Sequence, residues 1–347
     1  MRSSGKSTSI LTVLKSTNVR LGKNTGLLLG TLVLFVFFSI FGERFFSAYN
    51  LTNVLRNSAV LMIASIGTTM TILSGHNDLS VGSVMSLSGA AAGLLMIAGV
   101  NTVIAIIAGI LTGVVCGLIN GYLIAYIKAD FWIVTFAMMS IAQGLTLVLT
   151  EGRTKSGFSG AFRFIGSGEL FSIDFGDRDI FTIGCLMVFT IIVVIVMLNV
   201  LKKTRFGYNV YAVGDSETCA MLSGIKIKRV KLGIFTLGGA FAGVAGIMLT
   251  ARDNSVMPTG GAPYTFDAIA AVLVGGTAFG GGRGGYAGTV IGAFLIMMIR
   301  NGLSMMGVPT LWQYVMIGLI ILAVIIYDTV KTRITLVRES RRRYPDA

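Results

Sequence analysis

The sequence predicts an all-α polytopic membrane protein with about ten transmembrane helices and a possible inverted repeat. Three observations carry that prediction. Only 12% of the 347 residues are charged, about half the share of a soluble domain. The chain is 54% hydrophobic, with a mean hydropathy of +0.82. Its apolar residues fall into long uncharged runs, and a helix crosses the hydrocarbon core with about 20 of them, range about 17–25. The net charge of +13 collects in the tails and one loop. That placement suits membrane orientation better than nucleic-acid binding.

On that scale the spans lie near 26–42, 54–74, 80–98, 102–127, 131–149, 180–200, 230–251, 266–281, 285–300 and 311–327. The 266–281 and 285–300 runs are short and glycine-rich, as half-helices or tilted pieces would be. Residues 1–25 read as a polar, basic tail, 26–327 as one transmembrane domain and 328–347 as a second tail. No cleavable signal peptide is evident. Cys116, Cys185 and Cys219 lack metal-ligand spacing, and two of them lie in apolar runs, which argues against a disulfide framework.

Charge orients the spans. The first tail has Arg2, Lys6, Lys15, Arg20 and Lys23 and no acid; the last has Lys331, Arg333, Arg338, Arg341, Arg342 and Arg343. Both therefore face the cytoplasm, which demands an even number of spans. Residues 150–179 then fall outside, with four basic and five acidic residues. Residues 202–231 fall inside, with seven basic and two acidic residues.

Small residues allow helix backbones to approach in lipid. Gly109, Gly113, Gly117 and Gly121 form one ridge of the fourth span; Gly239, Gly243 and Gly246 mark the seventh, and Gly284, Gly288 and Gly292 the ninth. Tight packing within the subunit is the simpler reading of these ridges, and a sliding or dimer surface the alternative. A weak repeat pairs the segment around Asp78 with that around Asp267, each an Asp before a small-residue helix. Five spans separate the two, so the halves would be inverted, a common transporter construction. Chance similarity between glycine-rich segments competes with this.

Two motifs imitate nucleotide sites. Ser4-Gly5-Lys6-Ser7-Thr8 lacks the glycine and strand of a phosphate-binding loop. Gly280-Gly281-Gly282-Arg283-Gly284-Gly285 has no βαβ unit and no later acid. One histidine and no nucleophile–base set argue against catalysis, and neither a metal site nor a cofactor bound by this chain is expected. Asp78 and Asp267 sit at predicted helix starts, where capping is the simpler reading. Asn120, Gln143, Asn301 and Gln313 are neutral polar groups in or near spans, and Trp132 and Trp312 suit the interfacial belt. A sugar pathway would use such neutral polar and aromatic groups. The scarcity of buried carboxylates counts against a proton- or sodium-coupled carrier. The candidate pathway residues are Asn77, Asp78, Asn120, Trp132, Gln143, Asp267 and Gln313.

Within the basic loop, 216–223 can form two helical turns, capped by Asp215 or Ser216 and ended by Gly224, with Ala220, Met221 and Leu222 as apolar contacts. It can seat in a partner's groove or lie on anionic lipid.

Four passages carry a resemblance to the permease subunits of bacterial ABC importers of the ribose/sugar type. They are Leu73-Ser74-Gly75-His76-Asn77-Asp78-Leu79-Ser80-Val81-Gly82-Ser83; Gly207 to Gly214 with Leu222-Ser223-Gly224-Ile225; Phe266 to Thr277; and Gly280 to Gly284 followed by Asn301-Gly302-Leu303. His76-Asn77 stands where that family usually has Gly-Ile. The resemblance covers about residues 25–330 and implies a type II importer permease with a coupling loop at 202–229. It implies ATPase contact by Gly214, Asp215, Glu217, Ala220, Met221, Leu222, Ser223, Gly224 and Ile225. It also implies ATP-Mg on a partner ATPase, a second permease copy or homologous permease, an external solute-binding protein and a bacterial inner-membrane location. A self-sufficient secondary carrier or channel is the alternative function, and a scaffold or membrane enzyme a third.

Overall fold

The computed structural model describes residues 25–176 and 179–343. Thirteen helices run through them: α1 Thr25–Phe41, α2 Ala48–Leu73, α3 Val81–Ile97, α4 Thr102–Tyr122, α5 Phe131–Thr150, α6 Gly160–Ser167, α7 Cys185–Lys203, α8 Arg205–Asp215, α9 Glu217–Leu222, α10 Ile227–Asp253, α11 Ala262–Val274, α12 Tyr286–Met305 and α13 Thr310–Arg343. A π-helical turn, Leu123–Ile127, extends α4. The Ser4–Thr8 motif and most of the first tail lie outside the described residues.

The all-α expectation needs one correction. Two small antiparallel sheets are present, β1 Lys155–Ser156 with β4 Ser255–Val256, and β2 Glu169–Asp174 with β3 Ile180–Gly184. The run expected to span from 180 therefore begins as a strand, and its helix starts at Cys185. Polar anchors fix that strand: the Thr182 N–H donates to Thr52 Oγ1 (2.9 Å), and the Tyr49 N–H to Asp179 Oδ1 (2.9 Å). Amide bonds from Tyr49 and then Ala48 hold the Asp179 carboxyl below the usual carboxylate range.

Among the described residues, five helices are long and apolar enough to cross a membrane: α4 with its π turn, α5, α7, α10 and α12. Thr25–Phe41, Val81–Ile97, Ala262–Val274 and Thr310–Ile326 are apolar but shorter. The remaining long helix, α2, is rich in Ser and Thr. It sits at the centre of the bundle, with 19 of its 26 residues buried, so protein rather than lipid surrounds it. Hydroxyls of Thr52, Ser58, Thr68 and Thr69 donate back to the carbonyls one turn earlier, while the buried Ser65 hydroxyl has no protein partner.

α10 packs antiparallel to α4 along the glycine ridges. A Cβ on Gly113 would meet Gly239 O and lie 2.9 Å from Gly243 Cα, and one on Gly117 would lie 3.0 Å from Gly239 Cα. Gly109 faces Ser88 and Ala92 of α3, and Gly292 faces Ala271 of α11. The ridges are thus internal seams, as the simpler reading had it.

α3 and α11 each follow a non-helical segment (74–80 and 254–261) after the end of a long helix. Their first turns meet reciprocally. The Gly82 N–H donates to Thr265 Oγ1 (3.0 Å), and the Gly261 N–H to Ser86 Oγ (2.9 Å). In each case the acceptor lies four residues after the partner glycine. A Cβ on either glycine would strike the other's carbonyl oxygen, so this crossing needs glycine on both sides.

Candidate functional site

The basic loop folds into a compact surface at one end of the bundle. α7 closes on Lys202 and Lys203, and Thr204 caps α8 by accepting from the Gly207 N–H (3.2 Å). Val210 and Val213 are buried, and the Tyr211 hydroxyl donates to Gly284 O (2.9 Å). Gly214 then lies directly on the end of α2, where Leu73 O accepts from the Gly282 N–H (2.9 Å). The last turn of α8 thereby touches both α2 and the 275–285 loop after α11.

Ser216 is the residue that caps α9, accepting from the Cys219 N–H (3.2 Å). Asp215 is instead the last residue of α8. α9 ends before Ser223, and Gly224 takes a φ of +79°, a left-handed conformation suited to glycine. Ala220 is buried, Ile225 half-buried, and Asp215, Glu217, Ser223 and Gly224 are exposed. Met221 (59% exposed) and Leu222 (81%) point outward, while Ala220 packs inward. Six residues are too short to bury two faces, and Ala220 occupies the inner one.

Glu217 binds Lys231 Nζ at 2.6 Å, and its Oε1 lies 3.9 Å from His76 Nε2. His76 Nδ1 donates to Ser74 O (2.8 Å), since a carbonyl can only accept. Its ring stands edge-on to Phe131 (5.3 Å) and Phe235 (6.1 Å). Burial, and then the nearby Lys231 ammonium, push the imidazole below its ordinary pKa. A cavity of about 950 Å³ opens here between α5, α9 and α10, lined by His76, Phe131, Glu217, Met221 and Lys231 among others.

From His76 the chain turns into the bundle. Asp78 Oδ1 accepts from the Ser80 N–H (2.8 Å) and hydroxyl, and Asn120 Nδ2 donates to Ser80 Oγ (3.1 Å). Asn77, Asp78 and Asn120 are all buried, and the amide oxygens of Asn77 and Asn120 have no protein partner. Asp78 forms a turn two residues ahead of the α3 cap position, which is Ser80, and does not occupy it.

Asp267 is not a cap either. Pro263 starts α11 four residues earlier, leaving Asp267 in mid-helix. There it forms a bidentate pair with Arg300, Nε to Oδ2 at 2.9 Å and Nη2 to Oδ1 at 2.8 Å. The two aspartates are therefore not equivalent, and their pairing as repeat partners fails. Counted in residues from the crossing, Asp267 lies six after Gly261, whereas Asp78 lies four before Gly82.

The pathway candidates thus separate. Asn77, Asp78 and Asn120 come together; Asp267 belongs to a different group. Gln143 holds the 254–261 segment through Pro258 O (3.0 Å). Gln313 bonds locally to Val308 O (3.2 Å), and Trp132 is 40% exposed in the first turn of α5. Sequence reasoning missed Arg300, Arg252, Asn57 and Tyr264. Arg252 donates to Asn57 Oδ1 (2.7 Å) and Tyr264 Oη (3.0 Å) and pairs with Asp253 (2.8 Å). The available signal was the charge itself: Arg300 ends an apolar run, where an ionisable group marks function by default.

Residues 50–325 match the family described as branched-chain amino acid transport system / permease component. The chain is 40% identical to the ribose import permease of Bacillus subtilis (strain 168) over 309 residues, covering 88% of this chain and 93% of that one. It is 33% identical to the xylose transport system permease of Haemophilus influenzae (87% and 95% covered) and 33% identical to the D-allose permease of Escherichia coli K12 (86% and 88%). No solved structure matches.

Proposed function

The chain belongs to the family of importer permease components, a multi-pass membrane protein, and on that premise we propose that it forms the translocation path of an ATP-binding-cassette importer for a sugar. Relatives that span nearly the whole chain are named for ribose, xylose and allose, so a pentose or related sugar is the substrate class. ATP-Mg binds on separate ATPase subunits, and an external binding protein delivers the solute. A second permease copy or homologue completes the path.

The observation that carries the coupling role is the α8–α9 surface. Its tip, Met221 and Leu222, is exposed, while its root at Gly214 touches the backbone of α2 and of the 275–285 loop. A push on the tip is therefore delivered to the start of the 74–80 segment that carries Asp78. Charge puts this surface, with both tails, on the cytoplasmic side of the bacterial inner membrane. Ten of the helices would then serve as spans, of which α3 and α11 are partial.

An inverted repeat of α2–α5 and α10–α13 fits the type II reading. The reciprocal Gly82–Gly261 hydrogen bonds support it. So does the exchange of neighbours: α4 lies on α3 and α10, as α12 lies on α11 and α2. Binding-energy differences at the ATPases would switch the path between two arrangements. The test is ribose, xylose and allose uptake into proteoliposomes holding this chain with its ATPase and binding protein. Uptake that requires ATP and the ATPase is expected. Uptake by this chain alone, driven by an ion gradient, would favour the self-sufficient carrier.

A further inference from the structure

The Asp267–Arg300 pair separates two cavities at the bundle end opposite α9. One, of about 540 Å³, lies against α13 and includes Phe266, Tyr314 and Ile317 in its lining. The other, of about 290 Å³, includes Asn57, Arg252, Tyr264 and Asn301. Asp267 and Arg300 line both. Small-molecule pockets occupy about 300–1,000 Å³, so a monosaccharide-sized solute fits the larger cavity.

Packing does not demand an ion pair here. Carrying two charges out of water is costly, and apolar residues of similar volume often do as well. What the pair supplies is hydrogen-bonding capacity in fixed geometry. Arg300 has five N–H donors, of which two are used on Asp267. Each Asp267 oxygen accepts one of those bonds and keeps a further lone pair. A rigid array of donors beside acceptors matches neighbouring hydroxyls, each of which both donates and accepts. Two arginines and two aspartates, Arg252 with Asp253 and Arg300 with Asp267, cancel in charge, so the array suits a neutral solute rather than an anion. The Tyr314 ring lies over the Arg300 guanidinium (5.2 Å), and Tyr314 and Phe266 are 46% and 57% exposed. They supply the apolar wall against which a sugar's C–H face can rest.

We infer that Asp267, Arg300 and Tyr314 form a specificity-determining recognition site for a neutral polyhydroxylated solute, entered before the solute reaches Asp78. This rests on the sugar-permease reading above. On that orientation the site lies in the outer half of the bundle, where a delivered solute arrives first.

The test uses the complete reconstituted transporter and compares maximal uptake of ribose, xylose and allose at saturating binding protein. Asp267→Asn keeps the side-chain volume and removes the charge; Tyr314→Leu alters the wall and removes the ring over the Arg300 guanidinium, leaving the ion pair's own groups in place. A second comparison, Asp267→Arg with Arg300→Asp, restores an ion pair in the opposite sense. The site predicts that each variant changes the ratio of uptake rates among the sugars, by about tenfold for Asp267→Asn, the loss expected when a charged hydrogen bond to one sugar fails. It predicts that the swapped pair does not restore the ratio. A uniform fall in all three rates, reversed by the swap, would make the pair a structural pin and overturn the inference. Absence of ATP-driven uptake of any of the three by the unaltered transporter would instead overturn the sugar reading on which it rests.

Discussion

Replacing Gly214 by alanine tests how motion at α9 reaches the membrane. The added Cβ would land on Leu73 O, 2.8 Å from Gly282 N and 2.9 Å from the Leu73 carbonyl carbon, where ordinary contact begins at 3.4 Å. All three obstacles are backbone, so no side chain can swing aside. α8 must withdraw, or the Gly282 N–H to Leu73 O bond must open. Overpacking of this kind costs about 1–3 kcal/mol. With each 1.4 kcal/mol worth tenfold, the docked arrangement becomes about 5- to 140-fold less favoured. That is too little to unfold a large bundle and enough to uncouple it. Uptake and binding-protein-stimulated ATP hydrolysis, measured in proteoliposomes with equal amounts of inserted permease, should both fall several-fold. Gly280→Ala is the control, since its Cβ would meet nothing within 4 Å. Uptake by Gly214→Ala equal to that of the control would refute a backbone route from α8 to α2.

Ser86→Ala and Thr265→Val each strip the acceptor from a buried glycine N–H at the α3–α11 crossing. Each should cost about 1–3 kcal/mol in detergent unfolding; a large cost for one and none for the other would break the reciprocity. His76 faces Lys231, Glu217, Lys128 and Asp130 and has a lowered pKa. Above its ordinary value of 6.5, both folded and unfolded forms are neutral. As the pH falls below it, the unfolded chain takes the proton first, so stability declines until the lower folded pKa is passed. His76→Gln should flatten that decline in melting temperature between about pH 7.5 and about pH 5.

The helical runs were legible because lipid imposes a length and a composition on any span. α2 shows the limit from one side. Its apolar part was found from 54, but the helix begins at Ala48 behind the Ser47 cap, in a polar stretch that hydropathy passes over. β3 shows the limit from the other side, since Ile180–Gly184 is apolar enough to pass for a helix start. The α9 turn and its glycine end were readable from cap chemistry, but the direction of Met221 and Leu222 depends on which face Ala220 claims. The two aspartates looked alike because each precedes a small-residue run. Their difference lies in Pro263, which starts α11 early, and in Arg300, which is 33 residues away in sequence. Contacts at that distance leave no local pattern. The Gly82–Gly261 crossing is of the same kind, hidden among 45 glycines.

The central claim is that the tip of α9 is the surface an ATPase pushes. A photoreactive amino acid at Leu222, and another at Phe171 on the hairpin (75% exposed), would be irradiated in membranes containing the assembled importer. Cross-linking of the ATPase from Leu222 and none from Phe171, with a yield that changes on adding ATP, is the predicted result. No ATPase adduct from Leu222, or an adduct from Phe171 instead, would contradict it.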